Sequence, residues 1–320
     1  MQISVLMPVC DAPRAWLDRA VASILNQSFR DFELLLLDDG SQITETRASL
    51  RFWSEADPRI RLLERKHCGL PATLNHGIAN AKAPLIARQD ADDWSEPRRF
   101  EAQVAFLNAH PEIGLLGTAS WTHQGNGKPL WPVLLAASPA DICSAFEYGN
   151  PFFHGSVMFR ATLAQKLGGY REELLCAQDY DLFWRLSEAA PCASLAEPLY
   201  HYRYSGAAVS AQRAREQDLA ARAVRILAAT RRHHESEDVP AALRTAEARL
   251  ESAAPVHRLR FLWKQADHHL LAGEFRSALG KFLELLWHYP QEWIAWAKLM
   301  RGLVFAFAPA ARRVCFHLRR

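Results

Sequence analysis

The sequence predicts an α/β protein with a doubly wound, mostly parallel sheet flanked by helices, followed by an all-α C-terminal region. Three observations predict it. Short β-rich apolar runs alternate with helical stretches from Ile3 to about Ala119, the rhythm of βαβ units. Acidic clusters stand where the second and fourth runs end, at Asp38-Asp39 and Asp90-Ala91-Asp92-Asp93. After Ser210 the β-rich runs stop and the chain reads as helix.

The elements follow in order. Ile3–Val9 is the first strand, ending in Pro8-Val9-Cys10-Asp11. Trp16, Leu17, Ala20, Val21, Ile24 and Leu25 then recur at helical spacing. Glu33–Leu37 is the second strand, stopped by Asp38-Asp39-Gly40-Ser41, and a helix runs on to about Glu55. Arg61-Leu62-Leu63 is a third, shorter strand, and Gly69 opens a helix carrying Leu74 and Ile78. Pro84–Ala87 is the fourth strand; helix Pro97–Ala109 and strand Ile113–Ala119 come next. Trp121–Pro139 is a Gly/Pro-rich hairpin or loop. Tyr180, Phe183, Trp184 and Leu186 give the apolar face of a helix beginning near Asp179. Gln212–His234 reads as a long Arg-rich helix, with a polar linker to Pro240. Beyond it, Leu270-Leu271-Ala272-Gly273-Glu274-Phe275 with Ala278, Phe282 and Pro290 has the layout of one tetratricopeptide-like helix pair or of a plain bundle. The expected division is residues 1–210 and 211–320.

The 320 residues are 49% hydrophobic and 23% charged, which excludes wholesale disorder and a disulfide mini-scaffold. The six cysteines show no C-x-x-C spacing and fit thiols in a reducing cytosol. The start, Met1-Gln-Ile-Ser-Val-Leu-Met-Pro, has no basic leader region. No uncharged apolar run approaches the ~20 residues that span a bilayer. The net charge of +3 hides a division. Residues 1–210 carry 19 Lys+Arg against 24 Asp+Glu, and residues 211–320 carry 19 against 11, hence −5 and +8. The basic share therefore lies in the tail, where Arg301, Arg312, Arg313, Arg319 and Arg320 flank Leu303–Phe307. Such a segment suits an anionic membrane surface or a solvated helical cap, and nucleic acid is not expected as a partner.

In doubly wound sheets, ligands bind beyond the carboxyl ends of the strands. That rule gathers Asp38, Asp39, Asp90 and Asp92 around one crevice. Asp38 and Asp39 can accept hydrogen bonds from a ribose or base, or cap the following helix. Three carboxylates in Asp90–Asp93 repel one another unless a cation is shared. Hard oxygen ligands suit Mg²⁺ or Mn²⁺, with capping by Asp93 or Ser95 as the structural alternative. In Gln178-Asp179-Tyr180-Asp181 one carboxylate can act as general base or as an N-cap. The phosphate loop G-x-x-x-x-G-K-[ST], the elbow G-x-S-x-G and the fingerprint G-x-G-x-x-G are all absent.

These residues form a series. Pro8-Val9, Gln27-Ser28-Phe29, Asp38-Asp39-Gly40-Ser41 and Asp90-Ala91-Asp92-Asp93 are followed by Asn150-Pro151-Phe152-Phe153-His154-Gly155-Ser156, Gly168-Gly169-Tyr170 and Gln178-Asp179-Tyr180-Asp181. Over about residues 1–210 the chain resembles the family 2 inverting glycosyltransferases with the GT-A fold. The resemblance implies a nucleotide-diphosphate sugar donor, Mg²⁺ or Mn²⁺, inversion at the anomeric carbon, and a glycan or lipid-linked acceptor in cell-surface polysaccharide synthesis. It places the protein in the cytoplasm or peripherally on the inner face of the plasma membrane. Carried across, Pro8, Asp11, Asp38 and Asp39 belong to the nucleoside end. Asp90 faces the ribose or metal, and Asp92 is the metal ligand of an Asp-x-Asp motif. Asp179 is the base and His154 lines the acceptor side. Arg88 either meets the diphosphate or forms a structural ion pair. Three departures stand out: Cys10-Asp11 replaces the family's usual Tyr-Asn, Gln178 replaces the Glu of its Glu-Asp pair, and Ser205 stands where many relatives have a His after Tyr202-Arg203-Tyr204, with His201 nearby. Two other readings are open to the same residues, a nucleotide-sugar-binding interaction protein and a nucleotidyltransferase.

Overall fold

A computed structural model describes residues 1–135, 138–205, 212–251 and 254–288. The basic tail segment, Leu303–Phe307 with its arginines, lies outside the described residues.

The N-terminal elements are β1 (Ile3–Val9), α1 (Arg14–Leu25), β2 (Phe32–Asp39), α2 (Thr44–Ala56), β3 (Ile60–Arg65), α3 (Leu70–Asn80) and β4 (Leu85–Arg88). They form the parallel half of the sheet, in the order β3-β2-β1-β4. Period-2 alternation covers both of its faces. Ile3, Val5, Met7 and Val9 of β1 join Phe32, Leu34 and Leu36 of β2 in one core with Leu17, Ala20, Val21 and Ile24 of α1. Those α1 positions fall at i, i+3, i+4 and i+7, one helix face. Leu6 and Leu37 point the other way, toward α3, where a Cβ on Gly77 would sit 2.7 Å from Leu37 and 3.0 Å from Leu6. Gly77 therefore sets how closely α3 approaches the sheet.

Beyond β4 the sheet becomes mixed. The next elements are β5 (Trp94–Ser95), α4 (Arg99–Ala109), β6 (Leu115–His123), β7 (Pro129–Val133), α5 (Pro139–Ala145), a short 3₁₀ turn His154–Ser156, β8 (Met158–Arg160), α6 (Ala161–Lys166), α7 (Gln178–Ala189) and β9 (Cys192–Arg203). β8 pairs antiparallel with both β4 and β6, and β5 pairs antiparallel with β9. The expected hairpin or loop over Trp121–Pro139 contains the β6–β7 pairing. The helix after the second acidic cluster starts at Arg99, with Arg98 as N-cap and no side-chain cap. Neither Asp93 nor Ser95 caps it; Ser95 Oγ donates instead to Gln89 Oε1 at 2.7 Å.

Buried polar groups on α4 hold the strand ends. Arg99, fully buried, donates to Arg88 O at 2.9 Å and Val157 O at 3.3 Å, and Gln103 donates to Ser156 O at 3.0 Å. Burial lowers the Arg99 guanidinium to about 10, and the Tyr200 ring lies 5.2 Å from it.

The helices α8 (Ala214–Arg232), α9 (Val239–Glu251), α10 (Ala254–Ala272) and α11 (Phe275–His288) complete the described chain. Two compact units result. The first holds Met1–Thr122, Leu130–Tyr202 and Ala220–Arg244, so most of α8 belongs with the sheet. Arg231 of α8 pairs with Glu188 and Glu237 at 2.6 Å each. The second unit holds His123–Pro129 and, among the described residues, those of Arg203–Leu219 and from Thr245 onward. Within it α10 and α11 pack as a pair through Leu262, Ala266, Phe282, Leu285 and Leu286. Gly273, at φ 82°, makes the turn between them. No helix among the described residues is long and apolar enough to cross a membrane.

Candidate active site

Both acidic clusters lie at the carboxyl ends of parallel strands, but their carboxylates are used differently. At the β1–β2 end they organise backbone. Asp11, at φ 50°, accepts from Gln42 N at 2.7 Å and Ile43 N at 2.8 Å. It thus serves the start of α2, whose own N-cap, Ile43, offers no side-chain oxygen. Asp38 Oδ1 accepts from Ser41 N at 3.0 Å, a local turn bond. Asp39 accepts from Cys68 N at 2.8 Å and Gly69 N at 3.1 Å. Burial raises its carboxyl, but the bonds from Cys68 and Thr73 and the nearby His67 outweigh burial and leave it below the usual range. Pro8 pairs with Leu37 in the register, one position before this end.

At the β4 end the carboxylates meet side chains. Asp90 Oδ1 lies 2.5 Å from Arg88 Nη2, and Asp90 is 28% exposed where Arg88 is 0%. Arg88 also donates to Leu6 O at 2.8 Å, Gln89 O at 3.0 Å and His154 Nε2 at 3.1 Å. Its guanidinium is therefore spent on holding Asp90 and the strand end, the structural alternative of the sequence reading. The Tyr170 hydroxyl lies 2.9 Å from the same His154 nitrogen. Burial, then the Arg88 charge, pushes His154 well below its ordinary value, so the imidazole is neutral.

Asp93 is buried. Its Oδ2 accepts from the Tyr200 hydroxyl at 2.7 Å, and that hydroxyl accepts from Asp90 N at 3.3 Å. Among the described residues, Asp90, Asp92 and Asp93 do not close into a three-ligand cluster. Asp92 stands half-buried on the turn between its two neighbours. Gly155 makes this packing possible: a Cβ there would collide with the Tyr200 hydroxyl and approach Asp90 Oδ2 to 2.8 Å. His201, across from Trp94 in the β5–β9 pair, stacks on it at 4.8 Å and lies 2.7 Å from Glu96.

The start of α7 separates the two candidate bases. Ala177, in the left-handed region at φ 54°, is the N-cap and gives no side-chain bond. Asp181 is fully buried between Arg171 at 3.2 Å and Arg185 at 2.6 Å. Asp179 is half-buried and accepts from Asn150 Nδ2 at 2.8 Å. Burial pushes its carboxyl upward, against the bonds from Tyr180 and Asn150, and the negative Asp90 adds to the rise. Next to it, Gln178 Oε1 is buried without a hydrogen-bond partner, a costly state that a bound polar group would relieve.

Asn75 anchors the opposite wall. It accepts from Tyr170 N and donates to Tyr170 O, both at 2.8 Å. Gly169, at φ 69°, lets the chain pass over the Asn75 amide. Tyr170 is thereby aimed at His154. Asn150, Gly155 and Tyr170 sit inside motifs visible in the sequence, but their roles depend on contacts 29 to 95 positions away. Tyr200 and Arg99 carry no local signal at all. A surface cavity of about 420 Å³ beside Cys143 and Cys192 lies at the other end of α7 and takes no part in the site.

The model of the family described as Glycosyl transferase family 2 matches residues 4–160. EpsE of Bacillus subtilis (strain 168) is 35% identical over 206 residues, covering 63% of this chain and 73% of that protein. The O-antigen biosynthesis glycosyltransferase WbnJ of Escherichia coli is 30% identical over 204 residues, covering 63% and 79%. Among solved structures, S. aureus TarS 1-349 in complex with UDP-GlcNAc aligns at TM-score 0.57 with 18% identity, covering 94% of this chain and 89% of that one. The mannosyltransferase PcManGT of Pyrobaculum calidifontis, in complex with GDP-Man and Mn2+, aligns at 0.55 with 17% identity, covering 97% and 88%. The structural likeness is one of fold; the sequence likeness, spanning most of the length of these bacterial relatives, carries the conclusion that this chain belongs to glycosyl transferase family 2 and is a glycosyltransferase.

Proposed function

We propose that the chain moves a sugar, with inversion, from a nucleoside-diphosphate sugar to a hydroxyl of a glycan or lipid-linked acceptor in cell-surface polysaccharide synthesis at the cytoplasmic side of the membrane. The observation that carries this reading is the contrast at the start of α7. Asp181 is locked between two arginines, whereas Asp179 is half-buried, raised in proton affinity and close enough to Asp90 to feel its charge.

Asp179 then takes the proton of the acceptor hydroxyl as that oxygen bonds to the anomeric carbon. The bond from that carbon to the donor phosphate breaks, and the nucleoside diphosphate leaves with the electron pair. Asn150 holds the Asp179 carboxylate in place through one of its oxygens. Pro8, Asp11, Asp38 and Asp39 frame the nucleoside end by shaping the loops there. Gln178 Oε1 supplies a waiting acceptor for a hydroxyl of donor or acceptor. Neutral His154 and Tyr170 back the Arg88–Asp90 pair and border the acceptor side.

The donor set also fits a divalent cation. Asp92 and Asp90 offer hard oxygens two residues apart on a partly open turn, while Asp93 is buried and bonded to Tyr200. Bound there, Mg²⁺ or Mn²⁺ would neutralise charge developing on the departing diphosphate. The basic tail is the segment assigned to an anionic membrane or a solvated cap.

The test is to incubate the full chain with a panel of nucleotide sugars and Mn²⁺, measuring release of nucleoside diphosphate. Release by the native chain and its loss in Asp179→Asn, with donor affinity kept, is expected. Pyrophosphate release from a nucleoside triphosphate, or donor binding without any release, overturns the proposal.

A further inference from the structure

Residues 233–238 join α8 to α9, and their sequence, His-His-Glu-Ser-Glu-Asp, is that of a polar linker. The structure places them in the first unit, with the sheet. α8 ends in a Schellman turn. His234 stands at φ 58°, its amide donates to Arg231 O at 3.0 Å, and the Glu235 amide donates to Thr230 O at 3.1 Å. This reversal brings Glu237 back onto the helix end. Its two oxygens are divided between two arginines: Oε1 accepts from Arg231 Nη1 and Oε2 from Arg171 Nη2, each at 2.6 Å. Arg171 directly follows Tyr170, and it also meets Asp181, in the first turn of α7, at 3.2 Å.

We propose that Glu237 is a positioning residue for sugar transfer: by holding Arg171 it fixes the loop between α6 and α7 and the first turn of α7, which carries Asp179. The inference rests on the reading of Asp179 as the base. Three observations support it. First, α7 starts without the usual fixing, since its N-cap Ala177 is left-handed and gives no side-chain bond. Asp181 takes over that work, with Oδ1 facing Arg171 and Oδ2 accepting from Arg185 Nε at 2.9 Å and Nη2 at 2.6 Å. Second, Arg185 also donates to Leu167 O and Gly169 O, both at 2.7 Å, so the near end of the loop is held without Glu237. The far end is organised by Arg171, whose carbonyl accepts from Leu174 N at 3.2 Å.

Third, the charges balance. Arg171, Arg185 and Arg231 face Asp181, Glu188 and Glu237. Arg171, Arg231 and Glu237 are only 19%, 16% and 21% exposed, so water screens them weakly. Burial raises the Glu237 carboxyl, but the bonds from Arg171 and Arg231 outweigh burial and hold it below the ordinary range. With Glu237 neutral, three cations share two anions and Arg171 loses its shorter contact. Arg171 then moves, and the turn it carries moves with it. Displacing a reacting group by about 1 Å can cost about 100-fold in rate.

Steady-state kinetics and amide hydrogen exchange on the full chain test the proposal. Glu237→Gln keeps the shape and removes the charge. Well below Tm it should lower kcat by about 10–100-fold and leave the donor KM within about threefold. Arg171→Gln should lose as much, and the double variant no more than Arg171→Gln alone, because both act through one contact. Arg232→Gln, which breaks an exposed pair with Glu147, should leave kcat unchanged. Exchange across residues 171–181 should quicken in Glu237→Gln and stay native across β1 and β2. Exchange needs no turnover. A native chain that releases no nucleoside diphosphate therefore strikes the transfer reading, while exchange still decides whether Glu237 holds the turn. A native kcat in Glu237→Gln, a loss confined to KM, a further drop in the double variant or unchanged exchange across 171–181 overturns the proposal.

Discussion

Two places along the carboxyl edge of the same sheet use aspartate in opposite ways. Where β1 and β2 finish, Asp11, Asp38 and Asp39 accept from backbone amides, and Asp39 is held below the usual carboxylate range. Where β4 finishes and α7 begins, Asp90 faces a buried arginine, while Asp179 is pushed upward. An amide partner stabilises the charged carboxylate and consumes it structurally. Burial next to another carboxylate keeps a proton affinity that chemistry can use. Aspartates alike in sequence are thus sorted by what surrounds them.

The largest test of this division is Asp179→Asn. It should lower turnover by about 10²–10⁴ with little change in donor affinity, whereas Asp11→Asn should lower stability and leave any residual kcat within a few-fold. Steady-state kinetics beside thermal melting makes the comparison, and equal kinetic losses would erase it. Gly155→Ala comes next. Its methyl group would press on Tyr200 and Asp90, costing about 1–3 kcal/mol, read as a drop of several degrees in Tm.

pH sharpens the contrast further. Because Asp39 is lowered in the fold, its contribution to stability is present above the aspartate range of the unfolded chain and is lost as pH falls through its folded value. Asp39→Asn should therefore flatten the acid side of a plot of Tm against pH. Asp179 has the reverse sign: its ionisation opposes folding, so its effect on stability worsens as pH rises through its raised value. As a base it works only above that value, and the acid limb of kcat should lie above the ordinary aspartate range. The smallest effect is a movement of this limb. Asn150→Ala removes a bond to the charged form and should shift it up; Asp90→Asn removes a repelling charge and should shift it down.

Much of the parallel half was legible because its signals are local. Ile3–Val9 and Glu33–Leu37 are apolar runs stopped by acids, and Leu17, Ala20, Val21 and Ile24 repeat at helical spacing. In the mixed half the helices Arg99–Ala109 and Gln178–Ala189 and the strand Leu115–His123 were legible too, but the pairing was not, since β8 is three residues long and acquires its antiparallel place from β4 and β6, distant in sequence. The site divides the same way. Asp90, Asp92 and Asp179 were visible as residues at strand and helix ends. That Arg88 is enclosed, that Asp93 belongs to Tyr200, and that Cys10 meets His67 across 57 positions are results of folding that no spacing announces.

The Tyr200 hydroxyl has a consequence for the order in which the protein comes into being. It ties Asp93 and the Asp90 amide across 107 and 110 positions. Chains emerge from the ribosome N-terminus first, so β1 to β4 are available to pair long before this anchor has been made. A nascent chain halted before β9 would hold the parallel strands and the acidic turn in sequence, with the turn still unclamped. Competence at this turn would therefore arrive late in synthesis, with the ninth strand.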